Sequence, residues 1–324
     1  MLLALPALMA GLFLLVWAAQ RLVESTAALS RQAGASPLWV GLVVMGFGSS
    51  SAELAVALWS AWQGHPALAI GSAWGANIVD LSLVLGVTLV VAPLNLRSTA
   101  LLRELPLLLA ATLLSATLVW DGVLSRLDAA LLLAGFVALL AWSWRQVRQQ
   151  PQADALARET EHALRAQALD PGHAARRLAL ALLVLGGGAV LLVWGAVEVA
   201  RDLGVSDLTL GLAVVALGIS LPGLATCVMA ARAGEDDLAL GHVLGGSLFN
   251  TLAVTGLAGL IEPLDVETAV LWRDLLVMAA LAFGLYWLGR HDGNDVPWDR
   301  KVGRALVAIY LLHAVTLVIT SGPG

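Results

Sequence analysis

The chain has 324 residues, of which 59% are hydrophobic and only 13% charged, whereas soluble globular domains carry about 25% charge. That composition excludes a water-soluble enzyme or binding domain and indicates an integral membrane protein whose first partner is the lipid bilayer. The net charge of −5 says little in a membrane protein, where the distribution of Lys and Arg sets orientation; no nucleic-acid partner is expected, and the single cysteine, Cys227, excludes an intrachain disulfide and reads as a small buried apolar residue.

Windows of about 19 residues predict ten spans, near 3–21, 38–61, 67–92, 101–119, 128–145, 178–199, 208–231, 237–261, 268–289 and 303–320. The first lacks the basic leader of a secretory signal and has a counterpart in mid-chain, so it is expected to belong to the working protein. Of the 18 Lys and Arg residues, all except Arg126, Arg201 and Arg273 follow odd-numbered spans. The positive-inside rule then puts both termini outside the cytoplasm. Trp39, Trp62, Trp120, Trp142, Trp144, Trp272 and Trp287 fall near span ends, where amphipathic rings anchor at the headgroups.

The second span carries Gly48-Ser49-Ser50-Ser51-Ala52-Glu53. A carboxylate near the centre of a span costs about 3 kcal/mol or more, so its default reading is functional. Ser49 and Ser50 lie one turn before Glu53 and share its face. In the third span Asn77 and Asp80 are an i,i+3 pair. Gly71 and Gly75 just before them are expected to let the helix unwind and offer carbonyl oxygens beside a polar cavity. Residues 146–177 then turn rich in Arg, Glu, Gln and Ala. Asp154 with Arg158, and Glu161 with Arg165, suggest a short solvated helix ended by Asp170-Pro171-Gly172, a tether on the cytoplasmic face.

Beyond that tether the sequence repeats. Leu14-Leu15-Val16-Trp17 returns as Leu191-Leu192-Val193-Trp194, Gly41 through Gly48 as Gly211 through Gly218, and Gly71 and Gly75 as Gly241 and Gly245. The expected organisation is a first repeat over 1–145, a linker over 146–177 and a second repeat over 178–324. Five spans per half is an odd number, so the second half enters from the opposite side. The fold class is therefore an all-α polytopic membrane protein of two inverted five-helix repeats, with a site expected at the midplane where they meet.

The second half supplies Ser220, Ser247 and Asn250 at places equivalent to those in the first, with Pro222 and Gly245-Gly246 as loosening residues. Two carboxylates, two amide carbonyls and several hydroxyls form an all-oxygen set suited to a hard cation such as Ca²⁺. Ser51 and Ser82 are read as packing residues, His313 as a packed or interfacial histidine, and Glu235, Asp236 and Asp237 as a solvated charge run in a cytoplasmic loop. No His, Cys or Lys of a span is expected beside the polar cluster, which argues against an enzyme.

Gly48-Ser49-Ser50-Ser51-Ala52-Glu53-Leu54, Gly71-Ser72-Ala73-Trp74-Gly75-Ala76-Asn77-Ile78-Val79-Asp80 and Gly245-Gly246-Ser247-Leu248-Phe249-Asn250 resemble the two alpha-repeats of the sodium/calcium exchanger (cation/Ca²⁺ antiporter) superfamily. The resemblance covers both halves. It implies ten helices with outside termini, alternating access, and a diamond of cation sites built by the second, third, seventh and eighth helices. It makes Glu53 and Asp80 cation ligands, with Ser49, Ser50, Asn77, Ser220, Ser247 and Asn250 as neutral contributors. No cofactor is implied, only transported ions: Ca²⁺ with Na⁺ or H⁺.

The departures from the family pattern are specific. Gly223 stands where the family has a second glutamate, Ile219 where it has threonine, Ala76 and Gly246 where it has serine, Ser247 where it has asparagine, and Ala52 where it has proline. Asp80 supplies a carboxylate where many relatives have an amide. A site degenerate in its second repeat is expected to hold fewer sodium ions, with exchange closer to electroneutral or coupled to protons. Two alternatives stay open on the residues alone: a non-transporting cation-binding membrane protein, and a monovalent cation/proton exchanger. The short linker suggests a bacterial inner membrane.

Overall fold

The computed structural model describes residues 3–32, 50–95, 99–149, 171–266, 270–291 and 298–320. Ser49, Trp39 and most of the linker, including its two predicted ion pairs, lie outside the described residues. The described chain is nearly all helix: α1 (Ala4–Gln32), α2 (Ser51–Trp62), α3 (Pro66–Val91), α4 (Thr99–Leu118), α5 (Arg126–Gln149), α6 (Pro171–Leu203), α7 (Asp207–Ala233), α8 (Asp236–Ile261), α9 (Leu271–Leu275, continued as Leu276–His291) and α10 (Arg300–Thr320). Among the described residues eight helices, all but α2 and α4, are long and apolar enough to cross a membrane. α4 has an apolar stretch at Glu104–Leu118, and the side chains before Glu104 lie outside the described residues. Only the later part of the predicted span 38–61 is described, as α2.

The ends of the linker are helical, a departure from the predicted tether: α5 runs on to Gln149 and α6 starts at Pro171. Pro171 is the first described residue of that helix, and the predicted helix before it lies outside the described residues.

α3 and α8 form the centre. In each, 78% of the apolar window is buried, against 17% for α5 and 22% for α10. The outer helices turn large apolar side chains outward, among them Phe13, Leu183, Val318 and Ile319, as a lipid-facing surface requires. α1 and α6 lie along each other over most of their length, and a Cβ on Gly11 would stand 2.4 Å from the backbone N of Leu192. Such close backbone approach is how helices gain van der Waals contact where lipid removes the hydrophobic drive for association.

Gly71 and Gly75 serve the same purpose, which corrects the expectation that they unwind α3. The helix is unbroken through both. A Cβ on Gly71 would stand 2.6 Å from the carbonyl oxygen of Leu208, and one on Gly75 2.7 Å from that of Leu212. The glycines therefore let α3 cross directly against α7. The departure from α geometry comes later, as wide π-type turns at Val79–Val84 in α3 and at Asn250–Val254 in α8. These fall at equivalent places in the two halves, with Asp80 and Asn250 as counterparts. α8 likewise stays helical through Gly245 and Gly246.

Connections meet at two ends. His65, after α2, lies 2.6 Å from Asp207, after α6; the short strands β1 (Val123–Leu124), after α4, and β2 (Leu264–Asp265), after α8, pair antiparallel. A small cleft lined by Ser206, Asp207, Leu264 and Asp265 joins these two contacts. At the other end, Leu94 exchanges backbone hydrogen bonds with Trp298, and Asn95 donates to Asp236. Every such contact joins connections an even number of helices apart. Trp62, Trp120 and Trp272 are all exposed at the first end, where Trp120 and Trp272 meet edge to face at 5.6 Å.

Candidate cation site

α2, α3, α7 and α8 converge on one buried polar cluster. Glu53 (3% exposed) comes from the first turn of α2, Asp80 (6%) from the wide turn of α3, and Asn77 from the turn before it. Ser50 donates to the backbone carbonyl of Gly246 on α8 at 3.4 Å. That bond ties the start of α2 to the second half of the chain. Asp80 is the charged group that acts on Glu53, and it faces the Ser220 hydroxyl of α7, which still falls short of hydrogen-bond geometry. Ser247 and Asn250 complete the cluster from α8, both fully buried.

The amide of Asn77 has a fixed orientation. Its Nδ2 donates to Thr251 Oγ1 at 2.8 Å and approaches Met278 Sδ at 3.5 Å. Thr251 in turn donates to the Ser247 carbonyl at 2.8 Å. With the nitrogen committed, Oδ1 is left as a free acceptor. The wide turns are themselves stabilised by hydroxyls: Ser82 donates to the carbonyl of Ile78, and Thr255 to that of Asn250 at 2.9 Å. Ser82 is thus a packing residue, as its spacing predicts.

The decisive feature is what stays unmatched. Among the described residues twelve buried side-chain polar atoms have no hydrogen-bond partner, and six belong to this cluster: Glu53 Oε2, Asn77 Oδ1, Ser220 Oγ, Ser247 Oγ, and both Asn250 Oδ1 and Nδ2. Leaving a buried polar atom unpaired costs about 1–3 kcal/mol each, so native folds concentrate such atoms only where something else satisfies them. Five of the six can accept and so can coordinate a cation. The donor set is oxygen throughout, which fits Ca²⁺ or Na⁺ better than a softer metal.

Other buried ionisable groups were not anticipated. Asp236 and Asp237 are buried, not a solvated run. They open α8, a central helix whose N-terminal N–H groups favour acids and whose end is covered by the loop holding Asn95. His242 of α8 is buried against Gly223 of α7, and Cys227 lies close enough to feel the charge of Asp80. A His and a Cys therefore do stand beside the cluster, because the tight α7–α8 crossing brings them there. Cys227 is otherwise the small buried residue expected, its thiol 3.5 Å from the carbonyl of Ala239. His313 packs between α10 and α9, 3.5 Å from the buried Asp274, which is held by the Arg273 guanidinium through bonds of 2.8 and 2.9 Å.

Comparison with known proteins bears on this geometry. The family described as "Sodium/calcium exchanger protein" matches residues 3–145 and 173–319. The chain belongs to that family. CaxA of Alkalimonas amylolytica, whose given name proposes an antiporter, is 38% identical over 96% of this chain and 97% of its own. Inner membrane protein YrbG of Escherichia coli is 36% identical, covering 86% of each chain. Sodium/calcium exchanger MaX1 of Methanosarcina acetivorans is 26% identical over 96% of this chain and 97% of its own. The fold matches a solved structure of the sodium-calcium exchanger NCX_Mj with a TM-score of 0.67 over 97% of this chain and 98% of that one, at 24% identity. The chain is therefore an integral membrane protein of a family of cation/Ca²⁺ antiporters, transporters and not enzymes.

Proposed function

We propose that this chain exchanges Ca²⁺ for Na⁺ or H⁺ by alternating access, through a site in which Glu53 and Asp80 are the charged ligands. Asn77, Asn250, Ser50, Ser220 and Ser247 are its neutral oxygens; Ser49, one residue before the described part, is assigned with them by its place in the motif. The observation that carries this reading is the six unmatched polar atoms gathered around two buried carboxylates where four helices meet. Two carboxylates balance one divalent ion, and neutral oxygens complete a shell of about 6 to 8 donors, with water or backbone taking the remainder. The names borne by MaX1 and CaxA support the same direction.

The transport unit is two inverted halves, 1–145 and 178–324, of five spans each. The two stretches matched by the family, the equivalent wide turns and the pairing of alternate connections at either end support ten crossings. The name of the Escherichia coli relative supports a bacterial inner membrane, and the distribution of basic residues puts the termini outside. With all of the site's charge on the first half, each Ca²⁺ moves with fewer sodium ions than a site that keeps the second glutamate would carry, and exchange is closer to electroneutral or coupled to protons.

The test is Ca²⁺ uptake into vesicles under an imposed Na⁺ gradient and, separately, a pH gradient, with charge movement recorded. Flux driven by either gradient, lost in Glu53→Gln and Asp80→Asn, is the expected result. Gradient-driven flux that survives both substitutions refutes the site, and a large net charge per Ca²⁺ refutes the stoichiometry.

A further inference from the structure

Residue 223 stands on α7 where Glu53 stands on α2, since Gly48-Ser49-Ser50-Ser51-Ala52-Glu53-Leu54 and Gly218-Ile219-Ser220-Leu221-Pro222-Gly223-Leu224 run in step. In the first half the position carries a carboxylate, and in the second it carries only hydrogen. The space beside it is filled. A Cβ placed on Gly223 would stand 2.6 Å from Nε2 of His242 and 3.6 Å from Cδ2 and Cε1 of the same ring. The edge of a buried imidazole is therefore seated in the notch that the missing side chain leaves in α7.

His242 has its own counterpart in the first half. Gly71-Ser72 and Gly241-His242 are equivalent pairs, and Ser72 is small and folded back on its own helix, donating to Ala69 O at 2.8 Å. The halves thus differ at both equivalent positions: a large acid at 53 and a small residue at 72 in the first, and nothing at 223 against a large ring at 242 in the second. The notch also borders the cluster. One turn before Gly223 is Ser220, which faces Asp80, and one turn after it is Cys227, on which the Asp80 charge acts. One turn after His242 is Gly246, whose carbonyl receives Ser50.

We propose that His242 is a specificity-determining residue of the cation site: its ring holds the place of a second-half acid, keeps the site at two carboxylates, and confines it to one divalent ion without further sodium sites. This rests on the reading of Glu53 and Asp80 as cation ligands. Gly223 and His242 then form one unit, in which a carboxylate at 223 is admitted only when the ring is gone.

The experiment uses the full chain, purified and in proteoliposomes, as wild type, Gly223→Glu, Gly223→Ala, His242→Ala and the doubles Gly223→Glu/His242→Ala and Gly223→Ala/His242→Ala. Radioactive Ca²⁺ binding is titrated with Na⁺, and thermal midpoints are recorded for all. Gly223→Glu alone loses several degrees and gains no sodium sensitivity. The double with His242→Ala recovers the midpoint and needs about tenfold less Na⁺ to displace Ca²⁺, equivalent to about 1.4 kcal/mol of added preference. Gly223→Ala gives a smaller loss of midpoint, also recovered in its double.

Thermal losses that simply add, with no recovery in either double, overturn the proposal without reference to any ion. So does Gly223→Glu that gains full sodium sensitivity while His242 is still in place. Wild-type Ca²⁺ binding that is indifferent to Glu53→Gln overturns the site reading and this proposal with it. Binding that depends on Glu53, in a protein whose folded Gly223→Glu/His242→Ala double keeps the wild-type sodium response, overturns this proposal alone.

Discussion

The α2–α3 pair and the α7–α8 pair are built on the same plan and carry different charge. Each has a hydroxyl opening its site segment (Ser50, Ser220), an amide or hydroxyl one turn before a wide turn (Asn77, Ser247), and a polar residue at the wide turn itself (Asp80, Asn250). Only the first pair brings carboxylates to the cluster. The comparison teaches that the halves repeat their small residues and wide turns while the charge of the cluster sits on one of them. Backbone features repeat because both halves must present oxygens at the same depth. On the proposed function charged side chains need not repeat, because two of them balance one divalent ion.

Removing charge from the first half should have the largest effect. Glu53→Gln and Asp80→Asn are each expected to reduce Ca²⁺ flux to that of empty vesicles, while Ser220→Ala, which removes one neutral oxygen on the second half, retains measurable flux. Next is Gly75→Leu, which drives a side chain into the backbone of α7. Overpacking of this kind costs about 1–3 kcal/mol or more, read as a lower thermal midpoint and lower yield of monodisperse protein. The double Asp80→Asn/Asn250→Asp moves one carboxylate across to the second half. It is expected to bind Ca²⁺ far better than Asp80→Asn, by equilibrium binding, if the charge of the cluster can sit on either half.

Smaller effects sharpen the same contrast. Thr251→Val frees the amide of Asn77 to rotate, and the lost hydrogen bond of about 1 kcal/mol should weaken Ca²⁺ binding severalfold without altering the fold. His65→Ala removes a partly exposed contact between the halves, which should change thermal stability by about 1 kcal/mol or less. A large loss of flux there would mean that the connections, as well as the cluster, set the site.

The sequence made the class, the repeat and most of the cluster legible, because a carboxylate in an apolar span has few structural uses and each motif occurs twice. It misjudged the glycines. Gly71 and Gly75 read equally well as unwinding points or as crossing points, and only the position of α7 decides between them. Asp236 and Asp237 look solvated in a linear chain because nothing local reveals that Asn95 covers them. His242 was missed for a related reason: its neighbour Gly223 has no side chain to announce a contact. The signal was available in the exchange of sizes, Ser72 for His242 alongside Glu53 for Gly223, once the halves are aligned. Asp274 gave no such signal, since an Arg beside it suggests a surface pair.

The wide turn of α3 has one more implication. Before it, the helix rests on α7 through Gly71 and Gly75; after it, the segment Leu85–Val91 rests on α10, where Gly86 meets Gly303. α8 does the same, changing partner to α5 through Gly256 and Gly259. Asp80 and Asn250 therefore sit at swivels, where a rod seated in one cradle is handed to another. On the proposed site, an ion held at Asp80 and Asn250 would bind where each rod passes from one cradle to the other.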